Sequence, residues 1–124
     1  MRILLDTHML LWWMADDPRL PKSTEVAIAV PNAEVFVSAI SMAEISIKTS
    51  LGKLTVGGDL PGAIEKSGFH SLAFTAAHAD RLVDLPLHHR DPFDRMLVVQ
   101  ALTESLVFAT VDPACRQYAV QTLS

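Results

Sequence analysis

The chain has 124 residues, half of them apolar, a mean hydropathy of +0.29 and a formal net charge of −4. There is ample material for one packed core, so disorder is excluded as the main state and a single domain over residues 1–124 is expected. The negative balance excludes a global positive field, so a nucleic acid must be met locally. Ile3-Leu4-Leu5 reads as a buried strand ending at Asp6-Thr7, and the block Met9 to Met14 as a helix closed by Asp16-Asp17-Pro18. Ser23 to Val30 is a second helix stopped at Pro31-Asn32, and Glu34 to Ser38 has the β-branched and aromatic content of a second strand. A third helix is predicted from Ser41 to Leu51, ending at Gly52, and a fourth through Ile64, between the Gly57-Gly58-Asp59 break and Gly68.

Phe69 to Phe74 reads as a third strand and Thr75 to Leu85 as a helix, with Ala76, Ala79, Leu82 and Val83 at helical spacing. After Pro86 and the polar loop His88-His89-Arg90-Asp91-Pro92, a helix apolar on most sides runs to Ser105 and belongs over the sheet centre. Leu106 to Thr110 is a fourth strand; a short helix carrying Tyr118 and a fifth strand at Ala119 to Thr122 complete the chain. Strands alternating with helices predict an α/β three-layer sandwich, a mostly parallel sheet of four to five strands with helices on both faces. The longest apolar stretch, Met9 to Ala15, is far short of the ~20 residues of a bilayer span. Met1-Arg2 opens with no export pattern, and the lone Cys115 has neither a disulfide partner nor zinc spacing. Both features predict a cytoplasmic protein with no membrane partner.

The acids carry the functional signal. Asp6 ends strand one, Glu44 lies in the first turn after strand two, Asp91 and Asp94 open the long apolar helix, and Asp112 follows strand four. In an open parallel sheet, ligands gather beyond the carboxyl ends of the strands, so these distant acids are expected on one edge. Helix capping is a competing account: Ser41-x-x-Glu44 matches a capping box, and Asp91-Pro92-x-Asp94 an N-cap with proline at the first helical position. Capping alone gives no reason for the acids to share a cleft. Two charges ~6 Å apart at an effective dielectric of ~20 repel by roughly 2.8 kcal/mol, against roughly 0.3–1 kcal/mol that one helix N-terminus returns. Either several acids hold protons, or a cation sits among them. Oxygen ligands favour magnesium, with manganese as the alternative, and such an ion equips the edge for phosphodiester hydrolysis.

These residues resemble the PIN-domain ribonucleases and, within them, the VapC-type toxins of type II toxin-antitoxin pairs. The resemblance runs through Leu4-Leu5-Asp6-Thr7-His8 with Leu11-Trp12-Trp13, and through Ser38-Ala39-Ile40-Ser41 with Glu44-Ile45 and Ile47-Lys48. It continues in His89-Arg90-Asp91-Pro92-Phe93-Asp94-Arg95 with Leu97 and Gln100-Ala101, and in Thr110-Val111-Asp112. It departs at Ala43, where the subgroup often carries tryptophan. Carried over by position, the catalytic quartet falls on Asp6, Glu44, Asp94 and Asp112. Asp6 and Asp94 are expected to hold magnesium directly, and Asp91 to be the cap or a supporting acid. Thr7, Ser38 and Thr110 are candidates for orienting the carboxylates, and Arg90, Arg95 and Lys48 for contacting phosphates; His8 is a candidate substrate contact. His88 and His89 are expected to be exposed.

The resemblance implies a magnesium-dependent endoribonuclease, a cognate antitoxin and a homodimer, with Trp12 and Trp13 on a face used by a partner. The alternatives are a PIN-like nuclease acting on other nucleic acids and a non-catalytic binding module. A phosphoacceptor receiver domain is disfavoured: it needs a second acid where Thr7 stands, an aspartate where Thr75 stands and a lysine beyond Lys66.

Overall fold

The computed structural model, which describes residues 1–124, places β1 (Arg2–Leu5) at the centre of a five-stranded, wholly parallel sheet. Its neighbours are β2 (Glu34–Ser38) and β4 (Val107–Ala109), with β3 (His70–Leu72) and β5 (Thr122–Leu123) at the edges, giving the order β3-β2-β1-β4-β5. The register aligns Leu4 with both Phe36 and Phe108. Because side chains alternate along a strand, each central strand feeds two cores. Ile3, Leu5, Val35 and Val37 pack with α1 (Thr7–Met14), α2 (Lys22–Ala29) and α4 (Leu60–Lys66) on one face. Leu4 and Phe108 pack with Leu97, Val98 and Ala101 of α6 (Pro92–Glu104) on the other. α3 (Ala39–Ser50) bridges them, sending Ile45 into the first core and Ile40 against the second. The three-layer α/β sandwich with helices on both faces is therefore the architecture observed. No helix is long and apolar enough to cross a membrane.

Four local features differ from the sequence reading. α3 begins at Ala39 because the Ser38 hydroxyl accepts the Ile40 N–H at 2.9 Å, so Ser41 is not a cap and Glu44 lies in the second turn. The helix after Thr75 stops at Asp80 as α5 (Ala76–Asp80) and tightens into a 3₁₀ turn at Arg81–Asp84. Its buried member is His78, whose ring accepts the Thr75 N–H through Nδ1 at 3.0 Å and meets Glu104 through Nε2 at 2.8 Å; Ala76, Ala79 and Val83 are exposed. Tyr118 follows a 3₁₀ turn (Cys115–Gln117) in extended backbone, and the last strand starts at Thr122, pairing Phe108 with Thr122 and Ala109 with Leu123. The third strand is likewise shorter than predicted, His70–Leu72.

Gln100 ties the sheet to α6 from a fully buried position. Its Oε1 accepts the Ser38 hydroxyl, and its Nε2 donates to the Ala73 carbonyl at 3.2 Å, joining the ends of β2 and β3 to one helix. Truncating one partner of a buried polar contact leaves the others desolvated and unmatched. Gln100→Ala is expected to lower stability by about 2 kcal/mol, read as a shift in the urea midpoint; an unchanged midpoint would count against the tie.

Candidate functional site

The chain runs from β1 to β2 to β3 in one direction along the sheet, then crosses back to β4 on the opposite side of β1. That reversal opens a crevice beyond the carboxyl ends of β1 and β4, the position where ligands enter such sheets. Asp6 stands at the end of β1 and caps α1: its Oδ1 accepts the Met9 N–H at 2.7 Å. Capping and a place in the crevice are thus compatible, since one carboxylate oxygen serves the helix while the side chain also meets the Thr110 hydroxyl at the end of β4. Burial raises the Asp6 pKa, a push only partly opposed by the Met9 N–H and the Thr110 hydroxyl, and increased by the charge of Asp112.

Asp91 caps α6 through Oδ1, accepting the Phe93 N–H at 2.8 Å, and so sets Asp94 in the first helical turn. Asp94 is the most perturbed of the acids. Burial pushes its pKa up to about 7, the charges of Asp91, Glu44 and Asp6 add to the push, and His89 opposes them. Asp112 moves the other way: burial raises its pKa, but the His89 ring and the Ala114 and Cys115 N–H groups outweigh burial and leave it lowered. Two neighbouring carboxyls with opposite shifts in one cleft make it a candidate functional site. Cys115 packs beside them, its thiol pushed up to about 12 by burial and by the charges of Asp94, Asp112 and Asp6, so it stays protonated.

His89 corrects the expectation of an exposed loop histidine. Its side chain is only 17% exposed and lies between two acids, with Nε2 at 2.7 Å from Asp112 Oδ2 and 3.1 Å from Asp94 Oδ2. Nδ1 accepts the Asp91 N–H at 3.0 Å, which leaves Nε2 as the N–H donor facing the carboxylates. Loop 85–91 is tied in place. The Tyr118 hydroxyl accepts the His88 and His89 N–H groups, and the Arg95 guanidinium bridges that hydroxyl to the Leu85, Pro86 and His89 carbonyls. Arg95 is thus occupied in holding the loop, away from the phosphate role expected of it, while Arg90 is exposed. His88 is exposed, as expected.

Glu44 is buried on α3 and doubly held. Lys48 Nζ lies 2.6 Å from Oε2, and the Thr7 hydroxyl donates to Oε1 at 2.7 Å; the Ser41 hydroxyl, 3.0 Å from Thr7 Oγ1, completes the chain. Thr7 is therefore in direct contact with one of the acids. Thr110, fully buried, accepts the Asp112 N–H at 3.1 Å and lies against Asp6. Ser38 is fully buried and committed to Ile40 and Gln100, so it touches no acid. Sequence reasoning missed His89 and Tyr118. The signal was present in the five-residue step from His89 to Asp94, but its meaning depended on where the loop folds.

Lys48 is the one lysine or arginine within salt-bridge distance of any of the four acids Asp6, Glu44, Asp94 and Asp112, and it serves Glu44. Asp6, Asp94 and Asp112 have no lysine or arginine within salt-bridge distance and sense one another's charge, and carboxylate oxygens are the chemistry that suits a hard divalent ion. The side chains whose ligand atoms already lie within 4.8 Å of one another are His89, Asp112 and Cys115.

Several solved structures share this architecture. VapBC2 from Rickettsia felis, bound to a DNA fragment from its promoter, superposes with a TM-score of 0.72 at 14% identity, covering 99% of this chain and 98% of the other. A toxin-antitoxin complex from Klebsiella pneumoniae gives 0.67 at 15% identity, with 98% and 96% covered. The PIN domain endonuclease Utp24 gives 0.53 at 14% identity, with 94% and 74% covered. At these identities the likeness establishes the fold. No curated protein matches the chain. Residues 3–121 match the PIN domain family, a span that takes in Asp6, Glu44, Asp91, Asp94 and Asp112, and the chain belongs to that family.

Proposed function

We propose that this protein is a magnesium-dependent endoribonuclease, the toxin of a toxin-antitoxin pair, which hydrolyses RNA phosphodiester bonds at the crevice formed by Asp6, Glu44, Asp94 and Asp112. The observation that carries the reading is the gathering of acids from distant parts of the chain at one crevice. Burial first, then the charges of Asp91, Glu44 and Asp6, raise Asp94, and burial raises Asp6 with a smaller push from Asp112, while no lysine or arginine lies within salt-bridge distance of Asp6, Asp94 or Asp112. The toxin-antitoxin structures of the same fold support the biological role, and the name of the Utp24 endonuclease supports the chemistry.

Asp6 and Asp94 would hold the ion directly, with Glu44 and Asp112 reaching it through water or holding a second one. Bound magnesium, or manganese in its place, supplies charge neutralisation for the scissile phosphate and lowers the pKa of a coordinated water. The protein's own groups prepare that site. Thr7 and Lys48 fix the Glu44 carboxylate, the Met9 N–H fixes Asp6, and His89 fixes Asp112 while keeping it ionised. Tyr118 and Arg95 hold the loop that delivers His89. A cognate antitoxin and a second copy of the chain are the proposed protein partners.

The test is cleavage of labelled RNA with magnesium, with manganese and with chelator. The reading expects cleavage in both metals and none in chelator; undiminished cleavage in chelator, or a preference for DNA of the same sequence, would count against it.

A further inference from the structure

Alongside the carboxylates the surface opens into a cleft of about 530 Å³, within the usual range of small-ligand sites. Thr7 and Glu44 belong to its wall, so it is continuous with the acid cluster. From there it extends along α1, bounded on its other sides by Lys48 and by the loop at residues 53–57. Apart from Thr7, Glu44 and Lys48, no residue of its wall has a role in the proposed chemistry.

Its lining combines flat side chains with positive charge. The His8 ring lies 5.9 Å from the Trp12 ring, and the Arg19 guanidinium lies 5.4 Å from the Trp12 centroid, so an imidazole, an indole and a guanidinium stand together. Trp12 and Trp13 are both half-buried against the first core, but Trp12 also lines this cleft, whereas Trp13 meets Phe69. Two acids line the cleft and each has its own partner: Asp17 pairs with Arg19 at 2.8 Å and Glu44 with Lys48 at 2.6 Å. Lys53 is a third, exposed cation with no acid in salt-bridge reach. The cleft is thus locally positive on a chain of net charge −4. Flat π-faces stack nucleobases whatever their identity, and a free cation complements a phosphate.

Building on the ribonuclease reading, we infer that this cleft is the subsite for an unpaired nucleotide next to the scissile phosphate, its base stacked on Trp12 and Arg19 and its phosphate beside Lys53. A base locked in a duplex cannot present its face to such a platform. Leu11, Ile45 and Leu54 give the cleft an apolar share that a protein segment would also use. The unpaired cation and its continuity with the acids favour the nucleotide.

The experiment compares full-length wild type with Trp12→Ala, Trp12→Phe and Lys53→Ala on a fluorescent single-stranded RNA, its duplex, and copies with one abasic position on either side of the cut. Trp12→Ala is expected to lower kcat/KM by roughly 10- to 100-fold, mainly through KM, while Trp12→Phe keeps most of the activity. Lys53→Ala should raise KM severalfold and flatten the salt dependence by about one unit of slope. One abasic position should reproduce the Trp12→Ala loss in wild type and add nothing in that variant. Anisotropy of the same RNA on the Asp6→Asn protein, with and without Trp12→Ala, reads the subsite without cleavage. If RNA binds in a Trp12-dependent way but is never cut, the ribonuclease reading fails and the subsite stands. If Trp12→Ala changes neither binding nor KM, the inference is overturned, whether or not RNA is cleaved, and the cleft is left to a protein partner.

Discussion

Asp6→Asn is expected to reduce magnesium-dependent RNA cleavage by roughly 10²- to 10³-fold, the scale seen when one charge-stabilising group is removed from an active site, while the protein stays folded. The two halves of this expectation have separate causes. Asp6 accepts the Met9 N–H through Oδ1, and an asparagine carbonyl can accept the same bond, so the start of α1 is preserved. What is lost is the negative charge in the crevice. Burial already holds the Asp6 pKa up, so the neutral amide relieves strain in the metal-free protein, and its melting temperature should hold or rise slightly. Initial rates on a labelled RNA, a thermal melt and calorimetric titration with magnesium separate these effects. Full cleavage by a folded Asp6→Asn protein would remove the proposed chemistry; a collapsed fold would show that the cap does not transfer to asparagine.

The second large effect is a pH dependence centred on Asp94. Its pKa moves from the ordinary 3.8 to about 7 in the folded chain, because of burial first and the charges of Asp91, Glu44 and Asp6 after it. Between those values the folded protein retains a proton that the unfolded chain has released, so the contribution of Asp94 to stability falls as pH rises through this window. Asp6, also raised, acts in the same direction; Asp112, lowered, matters only at more acidic pH. About a quarter of the Asp94 side chain meets solvent, which screens the effect to something on the order of 2 kcal/mol.

In chelator, wild type should therefore lose more stability than Asp94→Asn between about pH 5 and about pH 8, and the variant should be the more stable protein at the upper end. Urea melts at both pH values, with and without magnesium, check this. Magnesium should restore wild-type stability at the higher pH, where the ligand is ionised, and have little effect on the variant. Cleavage by Asp94→Asn is expected to fall by a similar 10²- to 10³-fold. Parallel pH slopes for the two proteins would mean that Asp94 is not the strained group.

The route from residues to fold was short where the determinants are local. A buried β-strand such as Ile3-Leu4-Leu5 is apolar on both faces, and its alternation shows directly in which core each residue joins. A mostly parallel sheet of four to five strands, with an apolar helix over its centre, followed from the same reasoning, and the sheet has five strands, all parallel. Local patterns failed where two neighbouring signals competed. The pattern Ser41-x-x-Glu44 suggested Ser41 as the cap of α3, but Ser38 takes that role because β2 ends there. The apolar spacing around Ala76 and Val83 suggested a buried face, but those residues are exposed and His78 occupies the interior, paired with Glu104 of a distant helix.

For the crevice the division is the same. Chain order alone placed an acid at the end of β1, one after β2, one opening α6 and one after β4, because parallel connections put every strand's carboxyl end on the same side. The identity of the groups between those acids was settled only by tertiary contact. His89 reaches Asp94 and Asp112 because Tyr118 and Arg95 fold its loop inward, and Lys48 reaches Glu44 and no other acid. Asp94 and Asp112 are both aspartates following a helix- or strand-boundary pattern, and nothing in that pattern distinguishes them. Their opposite protonation tendencies arise from burial and from partners remote in sequence, quantities that exist only once the chain has closed around them.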